Sequence, residues 1–263
     1  ELGHASMHMG ARAARSRTLT FRHNDARDVS DILARERTSA GTCVVVTEGV
    51  FSMDGDRAPL DDLAAVCACN DAWLMVDDAH GFGVLGGGRG SAFEFDPAPD
   101  IPLQMGTLSK AVGVYGAFLC ASAPVIELMK NRARSLVYTT GLPPSVVAAA
   151  IAAVDIIAAD TKRVARPIAL AEMFCKVVGL DTPKSPIVPM IVGAEVAALG
   201  ASAALEDAGF LVTPIRPPTV PAGTSRLRFT FTAEHTPAQV AALAAAVNAL
   251  DLGRGSVMQI ADG

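Results

Sequence analysis

Apolar positions along this 263-residue chain follow two rhythms. Short continuous runs, Thr42–Thr47 (TCVVVT) and Trp73–Val76 leading to Asp77, predict strands buried on both faces, as in a parallel sheet. Helical spacing lies between and before them. Asn24 or Asp25 opens a helix over 24–37 with Val29, Ile32 and Leu33 on one face. A second begins at Pro59 and runs through Leu60, Leu63 and Val66 towards Asn70. Ile101–Met105 and Ala117–Ala121 read as further strands, and alanine-rich helices fill 124–136 and 144–178. After about residue 180 the rhythm changes. Ile187–Val192, Phe210–Thr213 and Arg226–Phe231 predict strands, with helices over 195–208 and 237–250, and a loose tail follows from Gly253. Alternation of this kind predicts an α/β fold: a large domain over 1–165 with a mostly parallel sheet, and a small C-terminal α/β domain over 166–263.

Composition narrows this picture. Hydrophobic residues are 51% and aromatics only 5%, so the core is built from small side chains, which favours helices packed closely on a sheet over a β-sandwich. A net charge of −5 and a pI near 5.5 argue against nucleic acid as the main partner. No apolar run reaches the roughly 18 residues of a membrane span. Glu1-Leu2-Gly3-His4 carries no targeting signal, so no membrane partner and a cytoplasmic location are expected. The five cysteines, Cys43, Cys67, Cys69, Cys120 and Cys175, sit in apolar stretches. Without a second cluster at zinc spacing, Cys67 and Cys69 read as buried helix residues, and no metal is expected.

Chemistry gathers where strands end, since ligands of open parallel sheets sit at their carboxyl ends. One strand leads into Glu48-Gly49-Val50-Phe51-Ser52, the next into Asp77-Asp78-Ala79-His80-Gly81, a third into Gly106-Thr107-Leu108-Ser109-Lys110. Together they place a hydroxyl, a carboxylate, an imidazole and a lysine around one rim. Each has a plainer alternative: Asp77 as a helix cap, His80 as a supporting group, Lys110 as a surface residue. Gly113 and Gly116, however, put Lys110 on a tight turn that can bring an amine to a cofactor. Gly86-Gly87-Gly88-Arg89-Gly90 lacks the spacing and lysine of a phosphate loop and reads as a surface turn. His8, His23 and His235 read as surface or capping residues, and Glu48 as a hydrogen-bonding group near the rim.

The strings VVVTEGVFSMDGD (44–56), WLMVDDAHGFGVLG (73–86), GTLSKAVG (106–113) and VYTTGLPP (137–144) resemble the α-oxoamine synthases. This is a fold-type-I pyridoxal-phosphate family that condenses an amino acid with an acyl thioester and releases carbon dioxide. The likeness covers nearly the whole chain and is weakest over 160–185. Within the family, VDDAHG and IRPPTVPAGTSRLR (215–228) resemble the member that uses L-alanine and a pimeloyl thioester, carried on CoA or on acyl-carrier protein. Sister enzymes use glycine and a shorter acyl-CoA.

The resemblance implies roles. Lys110 would hold pyridoxal 5'-phosphate covalently and later carry the α-proton. Asp77 would pair with the pyridine nitrogen and keep it protonated. His80 would bond the phenolic oxygen, with Ser52 nearby, and Thr107 would bind the phosphate. His4 would stack on the ring and help to position the acyl substrate. Tyr138, Thr139 and Thr140 match a segment that reaches the neighbouring subunit's site in a homodimer with shared active sites. Arg228 would clamp the substrate carboxylate, which a planar guanidinium does better than lysine, and Thr219 lies in the loop over that site.

Two departures stand out. Gly3 occupies a place where the family commonly has a polar residue. The family's N-terminal region, with a glycine-rich phosphate-binding stretch, has no counterpart upstream of His4, so the expectation is a large domain truncated at its N-terminus that does not turn over without that region. A non-catalytic fragment of the same fold is the rival reading; Lys110, Asp77 and His80 argue against descent from an inactive subunit.

Overall fold

The computed structural model describes residues 1–37 and 41–250. The chain divides into two compact units: Glu1–Phe51 with Arg57–Val164, and Ser52–Asp56 with the chain from Ala165 onward. The tail expected from Gly253 lies outside the described residues. Among those residues no single helix is long and apolar enough to cross a membrane.

In the first unit the order is α1 (Ala5–Ala13), α2 (Ala26–Glu36), β1 (Val44–Glu48), α3 (Leu60–Cys69), β2 (Trp73–Asp77), β3 (Leu103–Thr107), β4 (Ala117–Cys120), α4 (Ala123–Arg132), α5 (Arg134–Val137) and α6 (Pro144–Ala159). The sheet order is β1-β2-β3-β4. The first three strands are parallel, and β4 returns antiparallel on β3. Asp25 caps α2 by accepting the Asp28 N–H, which leaves Val29 and Leu33 on the buried face. These pack with Leu60, Leu63 and Cys67 of α3 and with Val45, Leu74 and Val76 of the sheet. Each fully buried leucine there contributes about 1.5–3 kcal/mol through lost water contact.

The second unit contains nearly all of α7 (Thr161–Val178), then β5 (Ile187–Gly193), α8 (Glu195–Asp207), β6 (Thr213–Ile215), β7 (Ser225–Thr230) and α9 (Pro237–Asn248). Its antiparallel sheet runs β5-β7-β6. Phe174 is fully buried between Phe229 and Phe231, at ring-centre distances of 4.6 and 5.3 Å. Leu205, Leu227, Val240 and Val247 extend the same core. A Thr236–Gln239 capping box opens α9.

Several expectations are corrected. The strand expected at Phe210–Thr213 is displaced to Thr213–Ile215, because α8 ends in a glycine stop. Gly209 takes φ +88°, its N–H donates to Glu206 O, and the Phe210 N–H donates back to Leu205 O at 2.8 Å, so Phe210 belongs to the helix cap. The alanine-rich stretch over 144–178 is interrupted at Asp160, which ends α6 and whose carboxylate caps α7 by accepting the Arg163 N–H at 2.9 Å. The stretch over 124–136 is likewise two helices, broken at an extended Ala133. Cys69 is exposed rather than buried; positions i and i+2 of a helix face opposite ways, so burying Cys67 turns Cys69 outward. The triple-glycine turn lies only partly at the surface: Gly87 and Arg89 are exposed, but Gly86, Gly88 and Gly90 are buried, and a side chain at Gly88 would strike Ile157.

Candidate active site

The parallel register brings the strand ends level. Glu48 pairs with Asp77 and Asp77 with Met105, and two further ladder bonds, Gly49 N to Asp77 O (2.8 Å) and Asp78 N to Met105 O (2.7 Å), carry the pairing into the loops. Past this edge come the turns that bear His80 and Lys110. After β2 the Asp78 carbonyl accepts the N–H groups of Gly81 and Phe82, which holds Ala79 and His80 in a tight turn. After β3 the Lys110 carbonyl accepts the Gly113 N–H, and Gly113 takes φ +75°, a conformation costly for any residue with a Cβ.

Lys110 Nζ lies 3.3 Å from His80 Nε2. Asp77 is buried at the end of β2, and its Oδ1 accepts the Ala79 N–H at 3.0 Å. Burial pushes the Asp77 carboxyl above the usual carboxylate range, against the opposing pull of the Ala79 N–H, His4 and Lys110. His4 caps α1 by accepting the Ser6 N–H and stands close enough for its charge to act on Asp77. Four of the expected residues, Lys110, His80, Asp77 and His4, thus belong to one neighbourhood of the first unit.

Thr107 also lies at this edge, but its hydroxyl is tied into the turn. It donates to Gly116 O at 3.1 Å, accepts the Ser109 N–H at 3.2 Å and sits 2.8 Å from Ser109 Oγ. Ser109 is exposed beside Lys110, and its hydroxyl is a group that sequence reasoning passed over although it stood in the quoted string. Thr139 and Thr140 are exposed in the segment after α5, and Tyr138 beside them is 79% exposed. Glu48 is buried at the end of β1.

The remaining expected residues group in the second unit. Arg228 of β7 is half-buried, and burial lowers its pKa. Its Nε donates to the Ser52 carbonyl at 2.6 Å and its Nη1 to Thr230 Oγ1 at 3.1 Å. Ser52 is therefore placed with Arg228 through its backbone. Two residues earlier on β7, Arg226 forms a buried ion pair with Asp54. Gly55 lets the same segment approach Ile187 O and Ser185, where a Cβ would collide. Thr219 is exposed in the loop between β6 and β7, its N–H on Arg216 O. Arg226 and Asp54 were not anticipated; the alternation of two arginines on one strand was the available signal. Among the described residues no group of three His, Cys, Asp or Glu side chains is arranged to hold a metal ion.

Comparison with known proteins bears on this arrangement. The family described as aminotransferase class I and II matches residues 1–247. A protein of Methylocella silvestris named 8-amino-7-oxononanoate synthase is 57% identical over 247 residues, covering 94% of this chain and 70% of its own length. A variant serine palmitoyltransferase from S. paucimobilis, solved with a bound PLP–myriocin aldimine, superposes with a TM-score of 0.89 at 33% identity, covering 97% of this chain and 65% of its own. The 8-amino-7-oxononanoate synthase of Francisella tularensis gives 0.77 at 27% identity, covering 94% and 72%. Across the curated relatives compared, the chain spans 60% to 70% of their length.

Proposed function

The chain belongs to the aminotransferase class I and II family, among its α-oxoamine synthases, and from that premise we propose that it carries the pyridoxal-phosphate site of a decarboxylative condensation. The substrates in this reading are L-alanine and a pimeloyl thioester, on CoA or acyl-carrier protein, and the product is 8-amino-7-oxononanoate. The observation that carries it is the Lys110–His80 pair at 3.3 Å beside the buried Asp77, all at the carboxyl edge of parallel strands. Relatives at 52% to 57% identity carry that product in their name, which favours alanine and pimelate over the glycine-using sister reaction.

The residues suit the cofactor. Asp77 is a buried carboxylate whose Oδ1 takes one backbone N–H while burial still holds its pKa up. Among the described residues no cationic donor is bonded to this carboxylate, and a protonated pyridine nitrogen would be one. When bound, pyridoxal phosphate supplies an electron sink for the carbanion left at the substrate α-carbon. Asp77 keeps that nitrogen protonated. His80 Nε2, within reach of Lys110 Nζ, would orient the amine and, once Lys110 holds the cofactor, would donate towards the phenolic oxygen. Lys110 holds the cofactor and moves the α-proton. His4 would cover the ring, and the hydroxyl of exposed Ser109 would donate to phosphate, joined by Thr107 once its hydroxyl turns away from Gly116 O.

In the same reading Arg228 orients the substrate carboxylate. Its Nε donates to Ser52 O and its Nη1 to Thr230 Oγ1, so Nη2 would lead in meeting the substrate, with Thr219 in the covering loop. The working form is a cytoplasmic homodimer in which Tyr138, Thr139 and Thr140 reach a neighbouring site. The test is chemical. The chain is incubated with pyridoxal phosphate, reduced with borohydride and digested. Label on the Lys110 peptide is expected, and label confined to any other lysine refutes the assignment.

A further inference from the structure

Asp78 follows Asp77 but faces away from it, as neighbours leaving a strand do. Its carboxylate takes two bonds from one residue thirteen positions on: Oδ2 accepts the Ser91 N–H at 2.8 Å, and Oδ1 accepts the Ser91 hydroxyl. Three glycines surround it. A Cβ built on Gly49, Gly81 or Gly90 would fall on an Asp78 carboxylate oxygen, and at Gly49 and Gly81 it would also strike Ser91 Oγ. Gly90 has φ +117° and needs glycine for its backbone. Gly49 and Gly81 are not in the left-handed region, so what they supply is room, and the room is filled by a carboxylate.

Every polar group of Asp78 is thereby engaged. The N–H is on Met105 O, the carbonyl accepts Gly81 and Phe82, and both carboxylate oxygens hold Ser91. Burial pushes this carboxyl up to about 6, against the bonds from Ser91. A desolvated acid that nonetheless keeps two donors has geometry to enforce.

We propose that Asp78 is a positioning residue: clasped by Ser91, it closes the loop over 78–91 and fixes the turn that presents Asp77 and His80. This rests on the reading that Asp77 and His80 serve the group held at Lys110, and it adds to that reading a residue with no contact to any ligand. It also accounts for Gly49 and Gly81, two glycines in adjacent loops that backbone conformation leaves unexplained.

The test uses the full chain without cofactor, so that it does not depend on turnover. Asp78→Asn and Ser91→Ala are compared with wild type by amide hydrogen exchange and by the NMR titration of the His80 ring. Folding of each is checked by circular dichroism. The expected result is exchange at the Ala79 N–H faster by about tenfold or more, with a moved His80 titration, while amides of Leu227 and Phe229 stay protected. Folded variants with unchanged Ala79 exchange and an unchanged His80 titration would overturn the proposal. So would loss of the fold in both, since Asp78 would then serve core stability alone. Failure of the functional reading shows separately, as borohydride label on a lysine other than Lys110 in the wild-type chain.

Discussion

Lys110 in the first unit and Arg228 in the second are both cationic candidates for ligand contact, and the fold treats them differently. Lys110 stands exposed on a glycine turn, beside His80. Arg228 is half-buried on a strand, with Nε fixed to the Ser52 carbonyl and Nη1 to Thr230. The origin is topological. Parallel strands end together and release loops at one edge, so residues distant in sequence converge there. On antiparallel β7, Arg226 and Arg228 lie on one face by alternation and both grip the inserted segment Ser52–Asp56. An exposed amine suits covalent chemistry and proton transfer, whereas a guanidinium held in place by two bonds suits recognition of a carboxylate.

The sharpest way to break this comparison is at Lys110. Lys110→Ala is expected to slow α-deuterium exchange of L-alanine, in the presence of pyridoxal phosphate, by about a thousandfold or more. Exchange near the wild-type rate would make Lys110 a surface residue. Next comes the anchor of the second unit. Asp54→Asn strands the buried Arg226 guanidinium and is expected to cost about 3 kcal/mol. Urea dependence of exchange at the Leu227 amide reads that loss, and an unchanged midpoint would show that the pair adds no net stability.

Arg228→Lys keeps the charge but loses the planar fork. It is expected to weaken binding of L-alanine to the chain loaded with pyridoxal phosphate by about tenfold while leaving binding of the thioester in place. Weakening of the thioester alone would assign Arg228 to the acyl chain. The smallest effect is in pH dependence. Asp78 is pushed up to about 6 when folded, above the roughly 3.9 of a free aspartate. The folded state therefore binds this proton more tightly. The group's contribution to stability is complete below about pH 4 and is lost as pH rises through about 6. Urea unfolding at intervals across that window should show wild type losing ground to Asp78→Asn, then a constant difference above it. A flat difference would mean the carboxyl titrates normally.

What was legible in the sequence follows the same physics. Strands β1 and β2 and helices α2 and α3 were found within a residue or two, because their buried faces impose β-branched runs or helical spacing. Helix α1 was not, and it has no buried residue to create an apolar rhythm. The break at Asp160 was hidden because helix-forming residues continue on both sides and one side chain both ends α6 and caps α7. Lys110, Asp77 and His80 stood out because each follows a strand closely. The Asp78 clasp did not, since its partner lies thirteen residues away and its glycines come from two loops.

Local sequence by itself determined the elements that bury a regular apolar face and the family the chain resembles, since each depends on nearest-neighbour preferences or on short strings. Only the tertiary structure decided which donors those groups meet. Arg226 meets Asp54 across 172 positions and Arg228 meets Ser52 across 176. Such pairings follow from how strands order in a sheet and how tightly backbones approach, and those are set by packing over the whole chain rather than by any stretch of it.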